Sequence, residues 1–136
     1  MSPTDGIGWL PSATADEATA ELLTVISQAA DLCRPELRHA AVLLEQGADG
    51  WCLRLECRGI DGGRLETEDL DLEIYGAAAD PSIQITWSMD PQAPVLWQGR
   101  HALWMEAGQG QRCAAPPQAV PLESLARRLR ARLVHS

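Results

Sequence analysis

From residue 14 onward the chain reads with a helical period. Thr14 stands three residues before Glu17, the spacing of a capping box, and Ala18, Leu22, Val25, Ile26, Ala29 and Cys33 then recur on one face. Pro35 cannot continue a helix, so the pattern predicts one over 14–34. Residues 1–13 carry Pro3, Gly6, Gly8 and Pro11 and read as an irregular arm, with Trp9 and Leu10 able to tuck against the body.

The apolar period then drops to every second residue. In 39–46, Ala40, Val42 and Leu44 share an apolar face. In 51–59, Trp51, Leu53, Leu55 and Cys57 alternate with Arg54, Glu56 and Arg58. Leu70, Leu72 and Ile74 alternate with Asp69, Asp71 and Glu73 over 70–75. Ile83, Ile85, Trp87 and Met89 alternate with Gln84, Thr86 and Ser88 over 82–89. One apolar face per strand is the pattern of an antiparallel sheet buried on one side. Glycine-rich and Asp-Pro stretches punctuate the runs as turns.

Register follows from parity. A two-residue turn at Gly62-Gly63 pairs Leu55 with Leu70, Leu53 with Leu72 and Trp51 with Ile74, and sets Arg54 opposite Asp71 on the outer face. A slip of one residue would bring every apolar side chain against a charge. Glu68 is the misfit: it falls on the inner face opposite Cys57, which marks a bulge or the end of that face.

Beyond Pro91, residues 94–105 are apolar around a polar break at Gln98-Gly99-Arg100 and read as a fifth strand, bent or bulged at Gly99. Residues 106–118 form a loop. A last helix over 120–134 starts near Pro121, with Leu122, Leu125, Leu129 and Leu133 in a narrow stripe. The expected fold is a single α+β domain over 1–136. It is a single-layer antiparallel meander of about five strands, within 38–105, with an N-terminal and a C-terminal helix packed on one sheet face.

Composition narrows function mainly by exclusion. All 11 basic residues are Arg, and Lys, Asn and Phe are absent, as a GC-rich bacterial genome would produce. A lysine nucleophile or a phosphate-loop lysine is therefore excluded. The net charge of −8 opposes nucleic acid and anionic membranes and favours a basic protein partner or none. No apolar run reaches the roughly 18 residues a membrane helix needs, and the first residues lack the pattern of a secretion signal, so a cytoplasmic location is expected. Cys33, Cys52, Cys57 and Cys113 show no CxxC spacing, and His39, His101 and His135 are scattered. Reduced thiols, no metal site and no cofactor are expected.

Three stretches carry candidate chemistry. Asp69, Asp71 and Glu73 alternate on one strand face roughly 6.5–7 Å apart, wide for a shared cation but suited to a solvated face or a basic partner. Arg127, Arg128, Arg130 and Arg132 line the last helix opposite its leucines. They read as a solvent face, a partner contact or a nucleic-acid contact. Trp97, Arg100, His101 and Trp104 surround the break near Gly99. There Trp pairs suit core packing, an edge or an interface, whereas in a pocket His101 could move a proton and Arg100 hold an anion. The chain has no GxGxxG after a strand, no GxxxxGK[ST], no GxSxG and no HExxH.

The leading expectation is a non-catalytic protein-binding or assembly module, chaperone-like, of a bacterial cytosol. It would act through an edge strand or exposed sheet face, with a homodimer among its forms. The alternative is a small-ligand domain or enzyme with a pocket near Trp97, Arg100 and His101. Nucleic-acid binding through the last helix ranks third.

Overall fold

The structure is a computed structural model that describes residues 10–48, 50–77 and 79–134, with 10–16 described in backbone alone. Helix α1 spans Leu10–Cys33 and is followed by β1 (Leu37–Gly47), β2 (Gly50–Gly59), β3 (Leu70–Tyr75), β4 (Ser82–Trp87), β5 (Val95–Gln98) and β6 (Ala102–Met105). Helix α2, Ala119–Val134, closes the chain. The six strands form one antiparallel meander in the order β1-β2-β3-β4-β5-β6.

Both helices lie on one sheet face. Ile26 and Ala30 of α1 and Leu122, Leu125 and Leu129 of α2 pack with Leu53, Leu55, Leu70, Leu72, Ile83, Ile85 and Leu96 of the sheet. α1 starts at Leu10, ahead of the expected residue 14, because Pro11 falls in its first turn, where a missing N–H costs nothing. The rest of the expected arm, including Trp9, lies outside the described residues, as does His135.

The β2–β3 register is the expected one and has the parity the alternation requires, with Leu53 opposite Leu72, Leu55 opposite Leu70 and Arg54 opposite Asp71. Burial decides it. A one-residue slip would bring Leu53 and Leu55, both 0% exposed, to solvent at about 1.5–3 kcal/mol each. The half-exposed Arg54–Asp71 pair adds under about 1 kcal/mol. The connection is not the simple Gly62-Gly63 turn, however. Gly62 N–H donates to the Gly59 carbonyl and Gly59 N–H to the Gly63 carbonyl, and Arg58 bridges Arg64. A 3-10 turn at Glu66–Glu68 then absorbs the extra residues, so β3 enters in the expected register by another route.

Two other expectations are revised. Ala40, Val42 and Leu44 are exposed, and Leu37 and His39 are buried in their place. The hairpin leaves its turn with Gly47 opposite Gly50 and Glu45 opposite Cys52, a parity that would carry Leu44 inward. A bulge between Leu43 and Glu45 then shifts the register by one, so Leu43 faces Leu53 and His39 faces Cys57. One extra residue has reversed the whole upstream strand. Likewise the bent fifth strand is two strands. The chain reverses at Gly99–His101, so Gln98 pairs with Ala102 and Leu96 with Trp104. Gly99 sits against the Trp97 ring, where a Cβ would lie 3.1 Å from Cη2.

Both edges of the sheet are closed over part of their length. On β1 the N–H groups turned away from β2 are taken in succession. Leu37 N–H donates to the Arg34 carbonyl (3.0 Å), His39 N–H to Asp31 Oδ1 (2.8 Å) and Ala41 N–H to Ser27 Oγ (2.9 Å). α1 thus shields its own sheet's edge, and the bulge past Leu43 disrupts the remainder of that edge. On β6 the segment after the loop returns alongside: Cys113 N–H donates to the Trp104 carbonyl, and Arg112 bridges Met105.

Candidate functional site

The densest polar cluster is one the sequence did not announce. Arg34, at the C-terminal end of α1, is 4% exposed and lies under the 3-10 turn. Its Nη2 donates to Glu68 Oε1 at 2.7 Å, and its Nη1 to the Glu68 carbonyl at 3.1 Å. The same Nη1 reaches Cys57 Sγ at 3.4 Å and His39 Nε2 at 3.2 Å. The guanidinium also lies 5.5 Å from the centre of the Trp87 ring, in cation–π range. Glu68, the inner-face misfit, therefore has its partner in a residue that a strand-only view does not contain.

The protonation states follow from the partners. A guanidinium can only donate, so His39 Nε2 accepts, and Nδ1 carries the proton to Asp31 Oδ1 at 2.9 Å. Burial holds His39 below its ordinary pKa. The Asp31 hydrogen bond opposes that shift and the Arg34 charge reinforces it. Burial likewise raises the Cys57 thiol, with Arg34 pulling the other way, and Sγ donates to the Glu68 carbonyl at 3.1 Å. Asp, His and Cys are the residue types of a thiol protease. Here the imidazole nitrogen that would accept the thiol proton faces a guanidinium, and the thiol is fully buried. The cluster's arrangement is that of a structural clasp joining α1, β1, β2 and the 3-10 turn.

Asp69 extends the clasp. Its Oδ1 accepts the Cys57 N–H at 2.8 Å, taking the place of a ladder carbonyl where the 3-10 turn interrupts the strand. Arg64 grips both its oxygens, at 3.0 and 2.9 Å. Burial alone would raise the Asp69 carboxyl, but the Arg64 and Cys57 hydrogen bonds together hold it below its ordinary value. The alternating acidic face is thereby divided. Asp69 is buried and Asp71 is held by Arg54 at 2.7 Å, whereas Glu73 stays exposed.

Trp97 and Trp104 fall on opposite faces. Trp104 is buried beneath α2 and donates Nε1–H to Glu123 Oε2 at 2.7 Å. Trp97 lies on the uncovered face and donates to the Tyr75 hydroxyl at 2.6 Å. Arg100 and His101 are exposed in the β5–β6 turn. With Trp97, Ser82, Leu103 and Arg112 they line an open hollow of about 480 Å³. Of the last helix's arginines, Arg130 is turned to the Pro81 carbonyl and Asp80, and Arg128 to Cys33.

The face opposite the helices is a mixed surface. Cys52, Glu73, Gln84, Trp97 and Leu103 stand in one row across β2 to β6, with Arg54, Asp71 and Thr86 in the next. Among the described residues no group of three or more His, Cys, Asp or Glu side chains could hold a metal ion, and no helix is long and apolar enough to cross a membrane.

The profile of one protein family, described as Domain of unknown function (DUF8659), matches residues 23–132. The chain belongs to this family. No curated protein matches the chain. No solved structure matches it either. The DUF8659 match runs from within α1 to near the end of α2, so it takes in the Arg34 clasp, the uncovered sheet face and the hollow at Arg100 and Arg112.

Proposed function

We propose that this domain is a non-catalytic protein-binding module of the bacterial cytosol, docking its partner on the sheet face that the helices leave open. The partial closure of both sheet edges, beside a sheet face with no helix on it, is the observation that carries the reading. With the first half of β1 shielded by α1 and its flank and the end of β6 by residues 111–113, strand addition has less free backbone to use than the open face offers surface. The uncovered face offers half-buried Trp97, Tyr75, Leu103 and Met105 beside Arg54, Gln84 and Thr86. Aromatic residues, Met and Arg in this mixture are typical of interfaces. The four free cysteines and the absence of lysine agree with a reducing compartment and a GC-rich bacterial source.

The test is capture of a partner from the source cells by the tagged wild-type chain and by a Trp97→Ser/Leu103→Ser variant. A stoichiometric partner retained by the first and lost by the second is expected. Equal capture by both, or no stoichiometric partner at all, sinks the proposal. If the occupant is a second copy, sedimentation will give twice 14.8 kDa for wild type and a monomer for the variant.

A further inference from the structure

The hollow at one end of the open face is lined by two arginines. Of the 11 arginines, Arg100 and Arg112 alone have no side-chain hydrogen bond or ion pair among the described residues. They come from separate places, the β5–β6 turn and the segment returning beside β6, yet both line the same cavity. Its one acidic lining residue, Asp80, is held by Arg130. Two uncommitted guanidiniums therefore face one space in a chain of net charge −8.

We infer that this hollow receives the carboxylates of an acidic segment of the partner protein, with the segment's apolar side chains lying on Trp97 and Leu103. The inference rests on the sheet-face reading and gives that partner a chemistry. Guanidiniums bind carboxylates through paired N–H donors, and the adjoining indole supplies a flat apolar surface. The hollow is open and continuous with the sheet through Ser82, Trp97 and Leu103. It therefore suits a chain that continues across the face better than a small ligand, which needs most of its surface enclosed. The domain's overall negative charge does not forbid this. At physiological salt, charges beyond roughly 8 Å are largely screened, so the local pair dominates.

The experiment follows backbone amides and the Trp97 indole N–H by NMR. A short acetylated peptide of alternating Glu and Leu is added, then one of Lys and Leu, then inorganic phosphate. Saturable shifts at Trp97, at residues 99–103 and at Arg112 with the Glu-Leu peptide alone are expected. They should weaken by about tenfold or more in Arg100→Glu/Arg112→Glu and by less in Arg100→Gln/Arg112→Gln. Neither guanidinium has a partner among the described residues, so both variants should keep the wild-type circular dichroism. Absence of saturable shifts, an equal response to the Lys-Leu peptide, or unchanged affinity in the charge-reversed variant would overturn the inference. So would phosphate reproducing the shifts at similar concentration, since the ligand would then be a small anion. If these arms fail while partner capture still depends on Trp97 and Leu103, the acidic segment is wrong and the sheet-face reading stands.

Discussion

Replacing Arg34 with methionine keeps the aliphatic stem against Trp87 and deletes the guanidinium. The geometry gives three consequences. His39 Nε2, in a side chain 0% exposed, loses its donor and becomes a buried unpaired acceptor, a cost of about 1–3 kcal/mol. Glu68 loses its ion partner. Its side chain is 35% exposed and can rehydrate, so the penalty falls below the ~3–5 kcal/mol of a fully buried pair. The cation–π contact with Trp87 contributes about 0.5–2 kcal/mol. These terms share one group and do not add fully, so about 3 kcal/mol is expected in all. Urea denaturation at neutral pH, comparing midpoints at unchanged slope, measures it. A loss under about 1 kcal/mol would refute the view that the guanidinium holds α1, β1 and the 3-10 turn together. A second readout is specific to the clasp. Arg34 depresses the His39 pKa, so the imidazole titration followed by NMR should move upward in the variant. Because folded His39 binds its proton more weakly than the unfolded chain does, wild-type stability is complete above the ordinary value of 6.5 and declines as pH falls below it. In Arg34→Met that decline should be shallower.

Gly50 has φ 156°, and a Cβ there would lie 2.0 Å from the Ile74 carbonyl, so Gly50→Ala should cost about 2–4 kcal/mol in thermal or urea unfolding; an unchanged midpoint would contradict the close approach. Ser27→Ala/Asp31→Ala strips the acceptors from the His39 and Ala41 amides, so hydrogen exchange at these two amides should accelerate and self-association appear with concentration. Unchanged exchange would mean that α1 does not guard the edge. Asp69 is held below its ordinary 3.8 in the folded state, so its contribution is present above that pH and lost as pH falls below it. Asp69→Asn should remove this part of the acid sensitivity, and identical acid-unfolding curves would count against it.

The sheet's centre was legible from one strand to the next. Leu53, Leu55, Leu70 and Leu72 alternate with Arg54, Glu56, Asp71 and Glu73, and a slip of one residue would bury charge. The helices were legible for the same reason, at a different period. The candidate site was mostly hidden. Glu68 signalled a departure, but its cause, Arg34, lies 34 residues earlier on a helix. His39 was concealed by the Leu43/Glu45 bulge, because alternation without the extra residue points Ala40 and Val42 inward. Of the residues singled out around Gly99, Trp97, Arg100 and His101 do meet in one hollow, joined by Arg112 from the far side of the loop, while Trp104 turns into the core.

Local sequence determined the features that depend on one period at a time: two amphipathic helices, strands with a single apolar face, and the register of β2 on β3. Burial of several leucines at once outweighs any competing local preference there. Only the tertiary structure decided which way β1 faces, how its edge is closed, and where the charges go. Those outcomes depend on single side chains meeting across the fold: Asp31, Ser27 and Arg34 satisfying strand groups, and Asp69 standing in for a ladder carbonyl. A buried polar group must find a partner wherever the chain brings one, and sequence periodicity carries no record of that distance.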